Sequence, residues 1–467
     1  MKGIFFLIPL IIFSLSSCVT VGPDYTAPQM DTPENWRAGS SENVSSEEYD
    51  KNLSEWWKNF NDPVLASLIN RAMKNNLSIK QAAIRLSEAR IRRGITESDK
   101  YPTVASSSSA RKSRTANNSS KSYQLGLDSS WEIDLFGGIK RSLEAYDADI
   151  ESAEESLNDT LISLAAEVAL NYVNLRLYQA ELKNTTASLK LREETFEIVS
   201  WRYEAGLVTE LDLKSSESTL EQTRAQVPAL QSNIDQVQNS IAVLLGCNPG
   251  TLKEELSPVK DVPELQDRTV KTGLPADILR QRPDLRKAER DLAAQTARIG
   301  VAKAELYPRI TLSGSIGISA LNTGALLDSD NITRSIGPSI SWPVFNYGSI
   351  KKNVEIQKAE TEQMLLQYKD LVLNAYKEVE NSMSSCFYEQ LKKEPLEKAV
   401  KASERSLEIA RMQYSSGLID FQSLLENERS LLSLQNQLIQ SKGQMTINYI
   451  NLYKALGGGW STLSTDI

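Results

Sequence analysis

The residues able to do chemistry are few and confined. The chain has no histidine and only three cysteines among 467 residues. That removes the usual general base, the Ser/His and Cys/His nucleophile arrangements and the commonest metal ligand. What remains is carboxylate. Glu210 and Asp212, then Asp420 and Glu426, sit at two glycine-bearing corners, YEAGLVTELD at 203–212 and YSSGLIDFQS at 414–423. Two carboxylates can act as general acid and base. Acids line helix surfaces throughout this chain, however, and no glycine-rich phosphate loop or nucleophile motif accompanies them. An enzyme is not expected, nor a cofactor, nor a metal site. The formal net charge of −8 argues against nucleic acid as a partner, because such binding needs a basic face.

The two corners are copies of each other. Tyr203, Gly206, Leu207, Leu213 and Leu220 return as Tyr414, Gly417, Leu418, Leu424 and Leu431, always 211 residues on. Ser130-Trp131 returns as Ser341-Trp342 and Leu245-Gly246 as Leu456-Gly457 at the same offset; Tyr101-Pro102 returns as Tyr307-Pro308 with slight slippage. A repeat of about 200 residues means one structural unit used twice. The expected boundaries are a signal peptide at 1–17, an N-terminal arm at 18–61, a first repeat at 62–246, a linker at 247–275, a second repeat at 276–457 and a tail at 458–467.

Each repeat carries the elements that must position its corner. A helical segment is expected near 62–99 and again near 276–305. Period-two stretches follow, at about 102–112 and 122–134 in the first copy and 309–319 and 332–345 in the second. In YQLGLDSSWEI, Tyr123, Leu125, Leu127, Trp131 and Ile133 share one face while small or polar residues take the other. Strands of roughly ten residues, apolar on one side and small-polar on the other, suit a transmembrane β-barrel. The stretch from 103 is nearly all serine and is the weakest of the four. Between Gly138 and Gly206 there is neither glycine nor proline, and the second copy preserves the interval with only Pro395 inside it. At 1.5 Å per residue each interval can form a helix of about 100 Å. Return helices follow, with a seven-residue apolar repeat at Leu213, Leu220, Val227, Ile234 and Ile241, and at Leu424, Leu431, Leu438, Met445 and Leu452. Such repeats make coiled coils. Each corner is therefore the tip of a helical hairpin, with glycine supplying the positive φ that ends a helix. Four strands cannot close a barrel in lipid, so several chains would have to share one.

The address is written at the start. Lys2, an apolar run from Ile4 to Phe13 and Leu15-Ser16-Ser17-Cys18 form an export signal too short to span a bilayer. The pattern resembles a bacterial lipobox, with Cys18 the lipidated N-terminus of the mature chain. Cys247 and Cys386 remain; a disulfide is permitted after export, although two isolated cysteines in a large chain are more often buried small residues.

These features together resemble the TolC-like outer-membrane channels of tripartite efflux systems, especially their lipidated branch. The carriers of the likeness are Cys18 with Val21-Gly22-Pro23-Asp24-Tyr25, Gln281-Arg282-Pro283-Asp284-Leu285, Tyr307-Pro308 and the closing Asn451-Leu452-Tyr453-Lys454-Ala455-Leu456-Gly457-Gly458-Gly459-Trp460. The resemblance implies a mainly α fold with a membrane β part: tandem-duplicated coiled-coil hairpins plus four transmembrane strands per chain. A homotrimer would then form a 12-strand barrel and a 12-helix periplasmic tunnel. It also implies an equatorial belt built from the N-terminal arm, the 247–275 linker, the region of Pro395 and the C-terminus. Implied partners are a periplasmic adaptor, an inner-membrane RND-type pump and outer-membrane lipid. The implied function is passive exit of small molecules, drugs and toxic compounds among them, through a tunnel gated at the tips. Metal-ion or protein export by the same architecture is the alternative, and a coiled-coil scaffold lipoprotein the rival of another class. By the same resemblance Tyr414 and Asp212 would link neighbouring coils, with Tyr203, Gly206 and Gly417 shaping the tips. An acidic ring would draw on Asp420 and Glu426; the branch's usual ring aspartate is replaced here by Ile419. Three symmetry-related carboxylates near an axis would concentrate cations.

Overall fold

The computed structural model describes residues 20–37, 44–45, 53–115, 118–265, 270–271, 281–326 and 328–460. Cys18 lies outside the described residues. The helices in chain order are α1 (Pro63–Asn75), α2 (Leu77–Ser98), α3 (Gly138–Glu204), α4 (Glu210–Leu244), the four-residue α5 (Lys253–Leu256), α6 (Pro283–Ala304), α7 (Ser349–Ser415) and α8 (Phe421–Ala455). The strands of the four-stranded sheet are β1 (Thr103–Thr115), β2 (Asn118–Ile133), β3 (Arg309–Ala320) and β4 (Ile332–Ser341), and the two-residue segments Val44–Ser45 and Val270–Lys271 pair separately. The duplication is metric as well as verbal. The long helices α3 and α7 have 67 residues each and the return helices α4 and α8 have 35 each. Pro395 does not break α7, and α4 likewise runs through Pro228. The segment expected as one helix over 62–99 is two, because Asn76 stops α1 and its side chain accepts from the Ser78 and Ile79 amides.

The described residues form two compact units. The first takes in 20–30, 83–155 and 284–370. Its centre is an antiparallel sheet in the order β1-β2-β3-β4, with β1 and β4 as open edges. Cross-strand partners share a face. Leu125 opposite Ile318, Leu127 opposite Ile316 and Trp131 opposite Leu312 make one face apolar. The other face is polar: Ser107 donates to Asp128 at 2.9 Å, and the Ser315 and Ser335 hydroxyls pair at 2.8 Å. The serine-rich β1 is a full thirteen-residue strand, longer than expected, because its backbone ladder to β2 does not depend on its side chains. β4 stops at Ser341 rather than near 345, where Pro343 has no N–H to give a ladder. Both copies seat a tryptophan at the strand base. The Trp131 indole donates to the Lys100 carbonyl at 2.8 Å and that of Trp342 to the Leu306 carbonyl at 3.1 Å. The N-terminal arm docks in the same unit: the Val21 amide bonds the Phe136 carbonyl, and the Arg141 guanidinium pairs with Asp24 at 2.7 Å.

The second unit takes in 31–82, 156–283 and 371–460. Its core holds Trp56, Trp57, Leu65, Leu68, Tyr172 and Leu256, all fully buried, with Trp56 stacked on Tyr453. Segments of the linker bond to the long helices and to the return helix α8. Thr446 donates to the Pro263 carbonyl, Arg176 to that of Pro258, and Lys393 pairs with Glu264. Each return helix is closed by an outside side chain, Asn76 on the Leu244 carbonyl and Arg282 on the Ala455 carbonyl. Both remaining cysteines are free, Cys386 buried and pushed up to about 12 by desolvation.

Candidate functional site

The two hairpin tips meet in the second unit. α3 gives way to α4 across 205–209, and α7 to α8 across 416–420. Gly206 (φ +71°) and Gly417 (φ +72°) hold the left-handed conformation that lets the chain reverse. In each tip the residue after the glycine closes back onto the long helix, Leu207 on the Arg202 carbonyl and Leu418 on the Gln413 carbonyl. Under the tips lies one apolar cluster of Val199, Leu407, Ala410, Tyr414, Phe421, Leu424 and Leu425, with Leu213 and Val208 against it. Residues from both hairpins contribute, so the tips pack as one body.

The carboxylates singled out in the sequence turn out to start helices. Thr209 caps α4, and Asp212 completes a capping box: its Oδ2 accepts from the Thr209 amide at 3.0 Å and from the Thr209 hydroxyl at 2.8 Å. Asp420 caps α8, its Oδ1 accepting from the Ser423 amide at 2.8 Å. The hydrogen bonds from Ser423 hold its carboxyl below the usual aspartate range. Glu426 is exposed, one turn into α8. Tyr203 is 40% exposed while its copy Tyr414 is 4% exposed. The Arg202 guanidinium lies 4.6 Å over the Tyr414 ring, and its Nη1 donates to the Tyr414 carbonyl at 3.0 Å. The Tyr414 hydroxyl is buried and has no hydrogen-bond partner among the described residues. Asp212 and Tyr414 therefore make no hydrogen bond to each other.

Four residues that tie the tip together escaped the sequence reading. Arg202 is one, joining the two hairpins as just described. The others lie deeper in the coils. Glu428 of α8 is 3% exposed and accepts from the Thr195 hydroxyl of α3 at 2.8 Å. The Arg411 guanidinium is 3.8 Å from it. Arg192 of α3, also buried, donates to the Thr219 carbonyl and the Thr223 hydroxyl of α4. Burial pushes the Glu428 carboxyl up, against the Thr195 hydrogen bond and the charges of Arg411 and Arg192. It pushes the Arg192 guanidinium down. A polar layer thus crosses all four helices beneath the apolar tip. The signal was present: Glu428 follows Leu424 by four and precedes Leu431 by three, which is the second core slot of the heptad.

Among the described residues no group of acidic or cysteine side chains is placed to hold a metal ion, and no helix is long and apolar enough to cross a membrane. A small, one-sided apolar sheet and duplicated helical hairpins meeting at a capped tip are the features of one class, the outer-membrane channels. The model of the family described as outer membrane efflux protein matches residues 68–247 and 274–458, and the chain belongs to that family. It is 33% identical to nodulation protein T of Rhizobium leguminosarum bv. trifolii over 98% of this chain and 97% of that one. The antibiotic efflux pump outer membrane protein ArpC of Pseudomonas putida is 30% identical, over 96% and 94%. The cation efflux system protein CusC of Escherichia coli is 29% identical, over 96% and 97%. Among solved structures, the outer-membrane channel OprN superposes with a TM-score of 0.87 at 36% identity, covering 94% of this chain and 99% of that one. The protein is an outer-membrane efflux channel and not an enzyme.

Proposed function

We propose that three copies of this chain share one twelve-stranded barrel and one twelve-helix tunnel, through which small toxic molecules, drugs among them, leave the periplasm by passive diffusion. The observation that carries the reading is the open sheet. Four strands present exposed Leu125, Leu127, Ile316, Ile336 and Ile340 on one face and leave β1 and β4 unpaired on their outer sides. Lipid tolerates neither a free edge nor a lone four-stranded sheet. Twelve strands close the edges and leave room for a pore. Cys18 carries the lipid that adds a second hold on the membrane. A periplasmic adaptor and an inner-membrane RND-type pump supply the energy and engage the tips.

The gate is assigned to the tips. Among the described residues, Asp212 Oδ1 takes no bond and the Tyr414 hydroxyl has no partner. Each is available to a neighbouring copy or to the other after a small shift. Asp420 and Glu426 face solvent and supply the acidic ring. The drug reading is supported by the likeness to ArpC; the likeness to CusC keeps metal export as the second reading. The lack of histidine disfavours it.

The test is the native mass of the detergent-extracted mature protein, followed by bilayer conductance. A lipidated trimer that conducts, with Asp420→Ala leaking more or losing cation preference, supports both barrel and gate. A monomer soluble without detergent sinks the barrel. Unchanged conductance and selectivity in Asp420→Ala removes that residue from the ring.

A further inference from the structure

The far end of the β1–β2 hairpin, away from the helices, carries an uncompensated positive patch. Lys112 of β1 stands directly opposite Lys121 of β2, and Arg114 opposite Ser119. Like charges directly opposite each other across an antiparallel pair repel. No acid relieves them: Lys112, Arg114 and Lys121 are exposed and form no ion pair among the described residues, and neither do Asp328 and Asp330 of the neighbouring loop. A local rule broken without compensation marks a place where something else is bound.

Register settles which side of the sheet the patch occupies. Counting by twos along β2, Lys121 shares its face with Tyr123, Leu125, Leu127 and Trp131. Lys112 and Arg114 lie on that face too, as cross-strand neighbours of β2 residues. Arg111, by contrast, falls on the polar face with Ser107 and Ser109. Depth follows from the aromatic residues. Trp131 and Tyr123 are separated by about 26 Å of strand at ~3.3 Å per residue, which a tilt of roughly 40° reduces to about 20 Å, near the height of an apolar barrel band. Lys121 comes two residues beyond Tyr123, where hydrocarbon ends and headgroups begin.

We propose that Lys112, Arg114 and Lys121 form a binding site for the phosphate groups of a phosphorylated lipid in the outer leaflet. Three cations on a lipid-facing surface supply charge-assisted hydrogen bonds to phosphate, and the apolar strip from Tyr123 to Leu127 receives the acyl chains. The site rests on the barrel reading, since only a sheet in the membrane turns this face to lipid.

The experiment uses the purified full-length protein in detergent, with bis-phosphorylated lipid A and its dephosphorylated form as probes, read by native mass spectrometry. The wild-type trimer should retain the phosphorylated probe in preference to the other. At roughly fivefold per basic side chain, K112Q/R114Q/K121Q should lose about a hundredfold of that binding, while K112R/K121R keeps it. R111Q, on the polar face, should keep the lipid and shift the ion selectivity of the pore instead. Equal retention of phosphorylated and dephosphorylated lipid would overturn the proposal. So would a triple variant that keeps its lipid, or one that alters selectivity with lipid binding intact, since that would place the patch in the lumen. Trimer mass and conductance of each variant report separately on folding. A wild-type chain that neither trimerises nor conducts would sink the barrel reading first and this site with it.

Discussion

The two tips are copies in sequence and opposites in environment. Tyr203 and Tyr414 answer to each other, yet one is exposed and the other buried under the Arg202 guanidinium. Glu217 and Glu428 also answer to each other, 211 residues apart. Glu217 pairs at the surface with Lys214, whereas Glu428 is shut among Thr195, Arg192 and Arg411. Even the caps are exchanged: threonine at the cap with aspartate three residues on in the first copy, aspartate with serine in the second. A duplicated chain thus keeps its backbone plan while one copy is turned inward. The second hairpin supplies most of the buried apolar groups of the tip, and the first adds Val199 to them.

That asymmetry is broken most directly at the tyrosines. Tyr414→Ala should cost about 3–5 kcal/mol of local stability, as large aromatic truncations in packed sites do. Tyr203→Ala should cost less than about 1 kcal/mol. Hydrogen exchange of the tip amides measures both, and equal effects would end the comparison. Tyr414→Phe sharpens it. The hydroxyl has no partner among the described residues, so its removal should leave the isolated tip as stable or more so. A looser gate in the assembled channel would then assign the hydroxyl's partner to a neighbouring copy.

Glu428 comes next. Removing one member of a buried charged set leaves the others unpaired, and Glu428→Ala should cost about 3 kcal/mol, against almost nothing for Glu217→Ala. Its pH dependence has a definite sign. The folded carboxyl lies above its unfolded value of about 4.3. Its contribution is therefore complete below that value and is lost as pH rises through the folded one. The groups facing it are Arg192 and Thr195 on α3 and Arg411 on α7. The tip should tighten on mild acidification, and Glu428→Gln should flatten the response in exchange measured between about pH 4.5 and 7. A response that persists in Glu428→Gln would move the titration to another group.

The glycines should show no asymmetry. Gly206→Ala and Gly417→Ala each force an L side chain into a left-handed corner, at about 1–2 kcal/mol. Neither corner has atoms within reach of an added Cβ, so strain alone acts. Unequal costs would mean that the two corners differ in more than their surroundings.

How much of this was legible beforehand follows from what kind of information each feature needs. Helix lengths, corners and strand faces are local or periodic, and Gly137, Gly206, Gly348 and Gly417 marked them well. Burial of Tyr414 rather than Tyr203 depends on which hairpin faces which, and nothing within either copy specifies that. The acids at 212 and 420 were read as ring or link candidates because their place beside a glycine corner is visible. Their capping role is legible too, in Thr209-x-x-Asp212 and Asp420-x-x-Ser423. Glu428 is legible as a charge in a heptad core slot; Glu217 occupies the same slot and is only half-buried, so the slot alone could not decide.

The caps give the smallest difference and the finest test. Thr209→Ala should weaken the first tip by about 1 kcal/mol at any pH, because a hydroxyl cap does not titrate. Asp420→Ala should weaken the second tip in a way that depends on acid. Its carboxyl is held below the ordinary aspartate value by the hydrogen bonds from Ser423. That support is therefore present above about pH 3.9 and lost as pH falls through the depressed folded value. Acid thus acts on the second tip in two opposite senses, tightening it through Glu428 at mild pH and loosening it through Asp420 below about pH 4. Exchange of the α8 first-turn amides in Asp420→Asn should keep the cap and lose only the low-pH limb, since asparagine caps without ionising. If the low-pH limb survives in that variant, Asp420 is not its origin, and another group of the tip carries it.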